Sequence, residues 1–202
     1  MSTSAAPARP DTEVRAYHVR TTLQLLGEVD PSAPARVRGH LASEALAAID
    51  DASRLTWLPG AIDIALWRAA DLELGTAGAA RLARAVGLRH VRSGQLSGLL
   101  QGVVQLFGLT PAALVRWMPR GLAEVHRGVG TLRVDDLSEG AARLVLEELH
   151  PALTDEPWLT AVARSLEFPL DLCALDGEAT LERAGPEQAV ILLRWRRRAP
   201  RP

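Results

Sequence analysis

The side chains best suited to chemistry are the five imidazoles, His18, His40, His90, His126 and His150. No two lie three to five residues apart, so no local metal-binding pair exists and no metal site is assigned. His126 is read near a helix C-terminus, where the helix dipole favours an imidazolium. His150 follows two glutamates at a strand end. Surface or capping roles are expected for these histidines. The neighbouring acids Asp50-Asp51, Asp135-Asp136 and Glu147-Glu148 offer carboxylate pairs. Successive side chains on a strand face opposite ways, which separates Glu147 from Glu148. Asp135-Asp136 sits where a hairpin turn favours aspartate. Cys173 is the single cysteine, so neither an internal disulfide nor a thiolate zinc cluster can form.

All 23 basic residues are arginine, and lysine and asparagine are absent. That excludes Schiff-base amines, the phosphate-binding lysine of a P-loop and a Cys-His-Asn triad. The sequence has no HExxH and no G-x-G-x-x-G. In Gly94-Gln95-Leu96-Ser97-Gly98 the serine falls one place too late for a nucleophile elbow. No catalytic residue is assigned and no cofactor is expected.

Gly94, Gly98 and Gly102, with Ser97 and Gln101 between them, form the most informative series. Four-residue spacing sets the glycines on nearly one helix face. Each costs about 0.5–1 kcal/mol relative to alanine in a helix interior, so something should compensate. Close approach of another helix or the sheet is the preferred account. The alternative is a groove where a flat or extended apolar ligand lies on bare backbone. Trp117, between Arg116 and Met118-Pro119, is read as core that could border a pocket. These six residues, Gly94, Ser97, Gly98, Gln101, Gly102 and Trp117, are the candidate ligand or partner face.

The elements that must position them follow from periodicity. Helices are expected over 14–26, 35–49, 61–74, 77–86 and 93–107, with Gly75 ending the third and a polar stretch around Gly87 following the fourth. Another should start at Thr110-Pro111, an N-cap followed by proline, and run toward His126. Pro119 inside it predicts a kink or two pieces. After Gly128 the period changes to two: Thr131–Asp135 and Arg143–Glu147 should pair around a loop at 136–140. That register gives Leu132 and Val134 one face with Leu144 and Leu146. A helix over 157–166 and strands within 170–181 and over 189–195 complete the chain. The fold class is therefore α+β, a helical layer packed on a C-terminal twisted antiparallel sheet of about four strands.

The apolar fraction of 48% supports one real core. We expect a leader at 1–12, a single domain over 13–196 (mainly helical to 127, sheet-rich from 128) and a basic tail at 197–202. The net charge of −1 gives no overall attraction to nucleic acid. The arginine tail lacks the aromatic company of a stacking platform. No apolar run is long enough to span a membrane. With one cysteine and no apolar stretch of a secretory signal in the first residues, the cytoplasm is the expected location.

Several segments together carry a resemblance: Arg54–Gly60 (RLTWLPG) before an amphipathic helix, Trp117–Gly130 (WMPRGLAEVHRGVG), the hairpin of Thr131–Leu149 and the last strand Val190–Trp195 (VILLRW). The chain resembles a myxobacterial paralogous family of uncharacterised proteins. More distantly it is similar to the superfamily of haem-nitric-oxide-binding domains, vinyl-reductase-type small-ligand domains and TRAPP subunits. The resemblance implies helices on a twisted antiparallel sheet, often in a dimer, around a cavity for haem, a small hydrophobe or an acyl chain. The haem branch's Tyr-x-Ser-x-Arg motif is missing, since the sole tyrosine, Tyr17, precedes His18-Val19-Arg20. Cys173 matches neither the clustered cysteines nor the lipidated cysteine of the other branches. The expectation is a non-enzymatic sensor or adaptor for a small hydrophobic ligand between helices and sheet, as a homodimer. A protein-interaction scaffold with a protein partner is the alternative, and an enzyme with an unrecognised centre ranks last.

Overall fold

The computed structural model describes residues 11–92 and 96–198. The expected leader falls largely, and the end of the basic tail wholly, outside the described residues, as does Gly94. In chain order the elements are β1 (Glu13–Arg15), α1 (Ala16–Val29), α2 (Ala33–Gly39), α3 (Ser43–Asp51), β2 (Trp57–Pro59), α4 (Gly60–Arg92), α5 (Ser97–Phe107) and α6 (Pro111–Val125). Then follow β3 (His126–Arg127), β4 (Thr131–Ser138), β5 (Ala141–Glu147), α7 (Glu156–Ser165), α8 (Phe168–Leu172), β6 (Leu175–Gly185) and β7 (Gln188–Arg197). The fold is α+β, as the change of period at Gly128 implied.

The main sheet has four antiparallel strands in the order β4-β5-β7-β6. Leu132 pairs with Leu146 and Val134 with Leu144, the register that alternation predicted. Leu144, Leu146, Ile191 and Leu193 are buried, and α6, α7 and α8 pack against the edge strands β4 and β6. Strand β7 lies between β5 and β6, and Ala189, Val190, Ile191 and Leu193 along its apolar run are all buried, successive positions included.

Four expectations need correction. The pair Asp135-Asp136 is inside β4, at a register shift between Val134 and Asp136, and the turn proper is Glu139-Gly140. Asp135 serves instead as a cross-strand anchor, accepting hydrogen bonds from Arg133 and Arg143. The 35–49 helix is two helices, α2 and α3, separated at residues 40–42. Pro119 does not divide α6, which is a single helix. Strand β7 extends to Arg197, and Arg198 pairs with Asp176 across to β6 at 3.0 Å, so the arginines begin as part of the sheet.

Helix ends follow their local signals. Thr110 Oγ1 accepts the Ala113 N–H and Pro111 opens α6. Asp155 Oδ1 likewise accepts the Trp158 N–H to start α7. Gly75 interrupts α4 with φ 67° and ψ 162°, a left-handed φ that glycine adopts without a Cβ clash. Beyond it α4 continues through Gly87 to Arg92, past the polar stretch read as a separator. Gly87 is where α4 meets α7: a Cβ there would lie 2.0 Å from the Ser165 carbonyl oxygen.

A small second sheet, order β2-β1-β3, was not foreseen because its strands have two or three residues. The Arg15 and Arg127 guanidiniums lie 3.7 and 4.0 Å from the Trp57 ring centre, and such cation–π contacts add about 0.5–2 kcal/mol each. This sheet builds one of the sites described next.

Candidate functional site

Two places stand out, one apolar and open, one polar and buried. The open one is a groove of about 600 Å³ between α5 and α6. Gly98, Leu99, Gly102, Val103, Leu106 and Phe107 line it from α5, and Ala113 and Trp117 from α6. Arg116 and Arg120, both exposed, stand at its edge. A Cβ at Gly98 or Gly102 would meet nothing within 4 Å. Close approach of another element of this chain, the preferred sequence account of these glycines, is therefore overturned at Gly98 and Gly102, where the bare backbone faces open space among the described residues. Leu106, Phe107 and Leu109 at the mouth are 77, 69 and 50% exposed.

Of the candidate residues, the structure brings Gly98, Gly102 and Trp117 to this groove. Ser97 and Gln101 are not among its lining, and Gln101 faces outward. Trp117 is buried, packs edge-on against Phe168, and also borders a chamber of about 50 Å³ on its inner side. His18, His90 and His126 face that chamber with Met118, Leu122 and Leu166.

The polar site arises where the small sheet feeds its helices. His18 lies in the first turn of α1, directly after β1, and Asp63 in the first turn of α4, directly after β2. His126 opens β3 and pairs with Val14 of β1. Three segments far apart in sequence thus deliver their side chains to one point. His18, Asp63 and His126 are 6, 1 and 6% exposed, which corrects the expectation of surface histidines, although His126 does stand at a helix C-terminus, as the C-cap residue of α6. His90, from the part of α4 beyond Gly75, is buried too, whereas His40 is exposed and bonds Glu73. His150 does cap, its Nδ1 accepting the Ala152 N–H.

His126 Nε2 lies 3.1 Å from Asp63 Oδ2, which also accepts the Trp158 indole N–H at 2.8 Å. His18 Nδ1 is 2.9 Å from His90 Nε2. His18 Nε2 and Asp63 Oδ1 face each other at an ion-pair distance of 3.4 Å without forming a hydrogen bond, and both atoms are buried with no hydrogen-bond partner among the described residues. Nδ1 of His90, Nδ1 of His126 and the Tyr17 hydroxyl share that condition. Burial opposes a charge on Asp63, but the pull of His18 and the hydrogen bond from His126 outweigh it and hold the carboxyl well below the usual range. Burial pushes the His90 and His126 imidazoles down and the Tyr17 hydroxyl up to about 12. The N-terminus of α4 adds a favourable dipole for the Asp63 carboxylate. Sequence spacing could not find this cluster, because its members are brought together only by strand pairing.

No family model and no curated protein matches this chain. Among solved structures, an Fe(II) unliganded H-NOX protein from K. algicida superposes with a TM-score of 0.60 at 8% identity, covering 93% of this chain and 100% of that one. A point mutant of the T. tengcongensis H-NOX gives 0.55 at 11% identity, covering 90 and 97%. An oxygen-binding H-NOX domain related to soluble guanylate cyclases, in its oxygen complex, gives 0.51 at 9%, covering 90 and 94%. The chain therefore has an H-NOX-like α+β fold, in line with the distant similarity read from its sequence. Identity this low speaks for the fold alone.

Proposed function

We propose that this chain is a non-enzymatic small-ligand-binding sensor module that takes an apolar ligand in the groove between α5 and α6. The observation that carries the reading is the open, apolar groove floored by Gly98 and Gly102. Its volume is within the range of small-molecule sites, which are typically about 300–1,000 Å³ and mainly apolar with a few placed polar groups. Arg116 and Arg120 supply those groups and suit an anionic end, so a medium-chain carboxylate is the ligand chemistry that fits. The fold similarity supports a sensor role, since one such structure is described as oxygen-binding. The resemblance to the myxobacterial paralogous family belongs to this same proposal.

Heme appears in descriptions of structures with this fold, but the residues here do not fit it. The chamber beside the histidines holds about 50 Å³, far less than a porphyrin needs, with Trp117, Met118, Leu166 and Phe168 around it. The groove is large enough, yet among the described residues its lining contains no histidine, cysteine, methionine or tyrosine to ligate iron.

Native mass spectrometry of the purified protein, before and after addition of dodecanoate, tests the reading. A retained or acquired carboxylate at one equivalent is expected, and it should be lost in Gly98→Leu, whose side chain would fill the groove without meeting the protein. Equal retention in Gly98→Leu would remove the groove from the account. A second reading rests on the exposed side chains of Leu106, Phe107 and Leu109: this mouth is a homodimer surface. Light scattering decides it, because Leu109→Glu, outside the groove lining, should then yield a monomer while ligand retention persists.

A further inference from the structure

The buried polar cluster is not used by the groove, and its geometry asks for a different occupant. We propose that His18, Asp63 and His126 bind one divalent transition-metal ion of the zinc class, as a two-histidine, one-carboxylate site.

Donor geometry is the first argument. One ligand atom from each of the three residues lies within 4.8 Å of the others. Two donors at about 2.0–2.2 Å from a tetrahedral ion are about 3.3–3.6 Å apart. The separation of His18 Nε2 from Asp63 Oδ1, 3.4 Å with no hydrogen bond, has that value. His126 Nε2, at 3.1 Å from the other carboxylate oxygen, completes the set.

Burial is the second argument. Leaving a buried polar atom unpartnered costs about 1–3 kcal/mol, more when it is charged. Here His18 Nε2 and Asp63 Oδ1 have no hydrogen-bond partner within the described residues and face each other only at an ion-pair distance of 3.4 Å. An ion would satisfy both atoms together. A single carboxylate against two imidazoles leaves room for the charge: with Zn²⁺ the neutral histidines and Asp63 give a net +1, reduced to zero by a bound hydroxide.

Two of the three ligands, His18 and Asp63, have the supporting contacts that ligands need, while His126 Nδ1 has no hydrogen-bond partner among the described residues. Histidine ligands are oriented through their second ring nitrogen and carboxylate ligands through further hydrogen bonds. His18 uses Nδ1 toward His90 Nε2, and Asp63 Oδ2 accepts from Trp158 Nε1. Trp158 is itself placed by the Asp155 cap of α7. The 50 Å³ chamber touching His18 and His126 can hold a water or small exogenous ligand at the remaining position, since one water requires about 10–15 Å³ of such space.

The experiment uses the tag-free full chain, stripped with chelator and titrated with Co²⁺ and Zn²⁺. One equivalent of Co²⁺ should give the intense visible bands of a four-coordinate ion, displaced by Zn²⁺. X-ray absorption of the zinc-loaded protein should show imidazole scattering from two histidines. Asp63→Asn and His18→Gln should each weaken binding more than about 100-fold, since loss of an orienting partner alone costs 10–100-fold. The surface variants His40→Ala and His150→Ala should bind as the wild type does. Should the buried variants fail to fold, the wild-type spectra and the surface variants still decide. Absence of stoichiometric binding, fewer than two imidazoles on the ion, or loss of binding in His40→Ala or His150→Ala would overturn the assignment.

Discussion

The seam between α4 and α7 and the groove between α5 and α6 use glycine for opposite purposes. At the seam, Gly87 lets two helices touch: a Cβ would collide with the Ser165 carbonyl oxygen. At the groove, Gly98 and Gly102 carry the same helix penalty with nothing opposite. Beside the seam, where α4 meets α8, charge holds the helices together. Glu167, 1% exposed, accepts from Arg84, Arg164 and the Ala179 N–H, and Arg84 adds a two-pronged contact to Asp171 at 2.9 Å. Where glycine and charge are both fully partnered the fold explains them; where the backbone is left bare, the fold alone does not, and that is the place of the proposed ligand.

The largest effect should come from closing the seam's contact with bulk. Gly87→Leu forces α4 off α7, and thermal or urea unfolding should show a loss of more than about 3 kcal/mol or no folded protein. Next is Glu167→Ala, which leaves the Ala179 N–H unpaired and two arginines without their buried partner. A loss of about 2–4 kcal/mol is expected in the same measurement, because both guanidiniums can still reach water. Smallest is Gly102→Ala, which should stabilise the protein by about 0.5–1 kcal/mol, as an open site in the interior of α5 permits. A destabilised Gly102→Ala would mean that the groove is filled by the protein itself, and the contrast would disappear.

How far the sequence reached differs between the two sites. Periodicity and caps reported the main sheet, its register at Leu132 and Leu146, and the start of α6, because each depends on neighbours in the chain. The glycine spacing marked Gly98 and Gly102 as unusual but not which way they faced, since that depends on what stands opposite. The histidine cluster was illegible. His18, Asp63 and His126 are joined by strands of two or three residues, too short to leave an alternating pattern. The signal available was indirect: a histidine beside the β1–α1 junction, and an aspartate inside an otherwise apolar helix stripe at Ile62 and Leu66.

Hydrogen exchange by mass spectrometry, with and without dodecanoate, compares the two regions in a single protein. Amides of α5 and the first half of α6 should exchange quickly in stripped protein and slow when the carboxylate is added, while those of α7 stay protected throughout. Protection of α5 already equal to that of α7, or bound carboxylate that leaves α5 unchanged, would contradict the groove as the binding site.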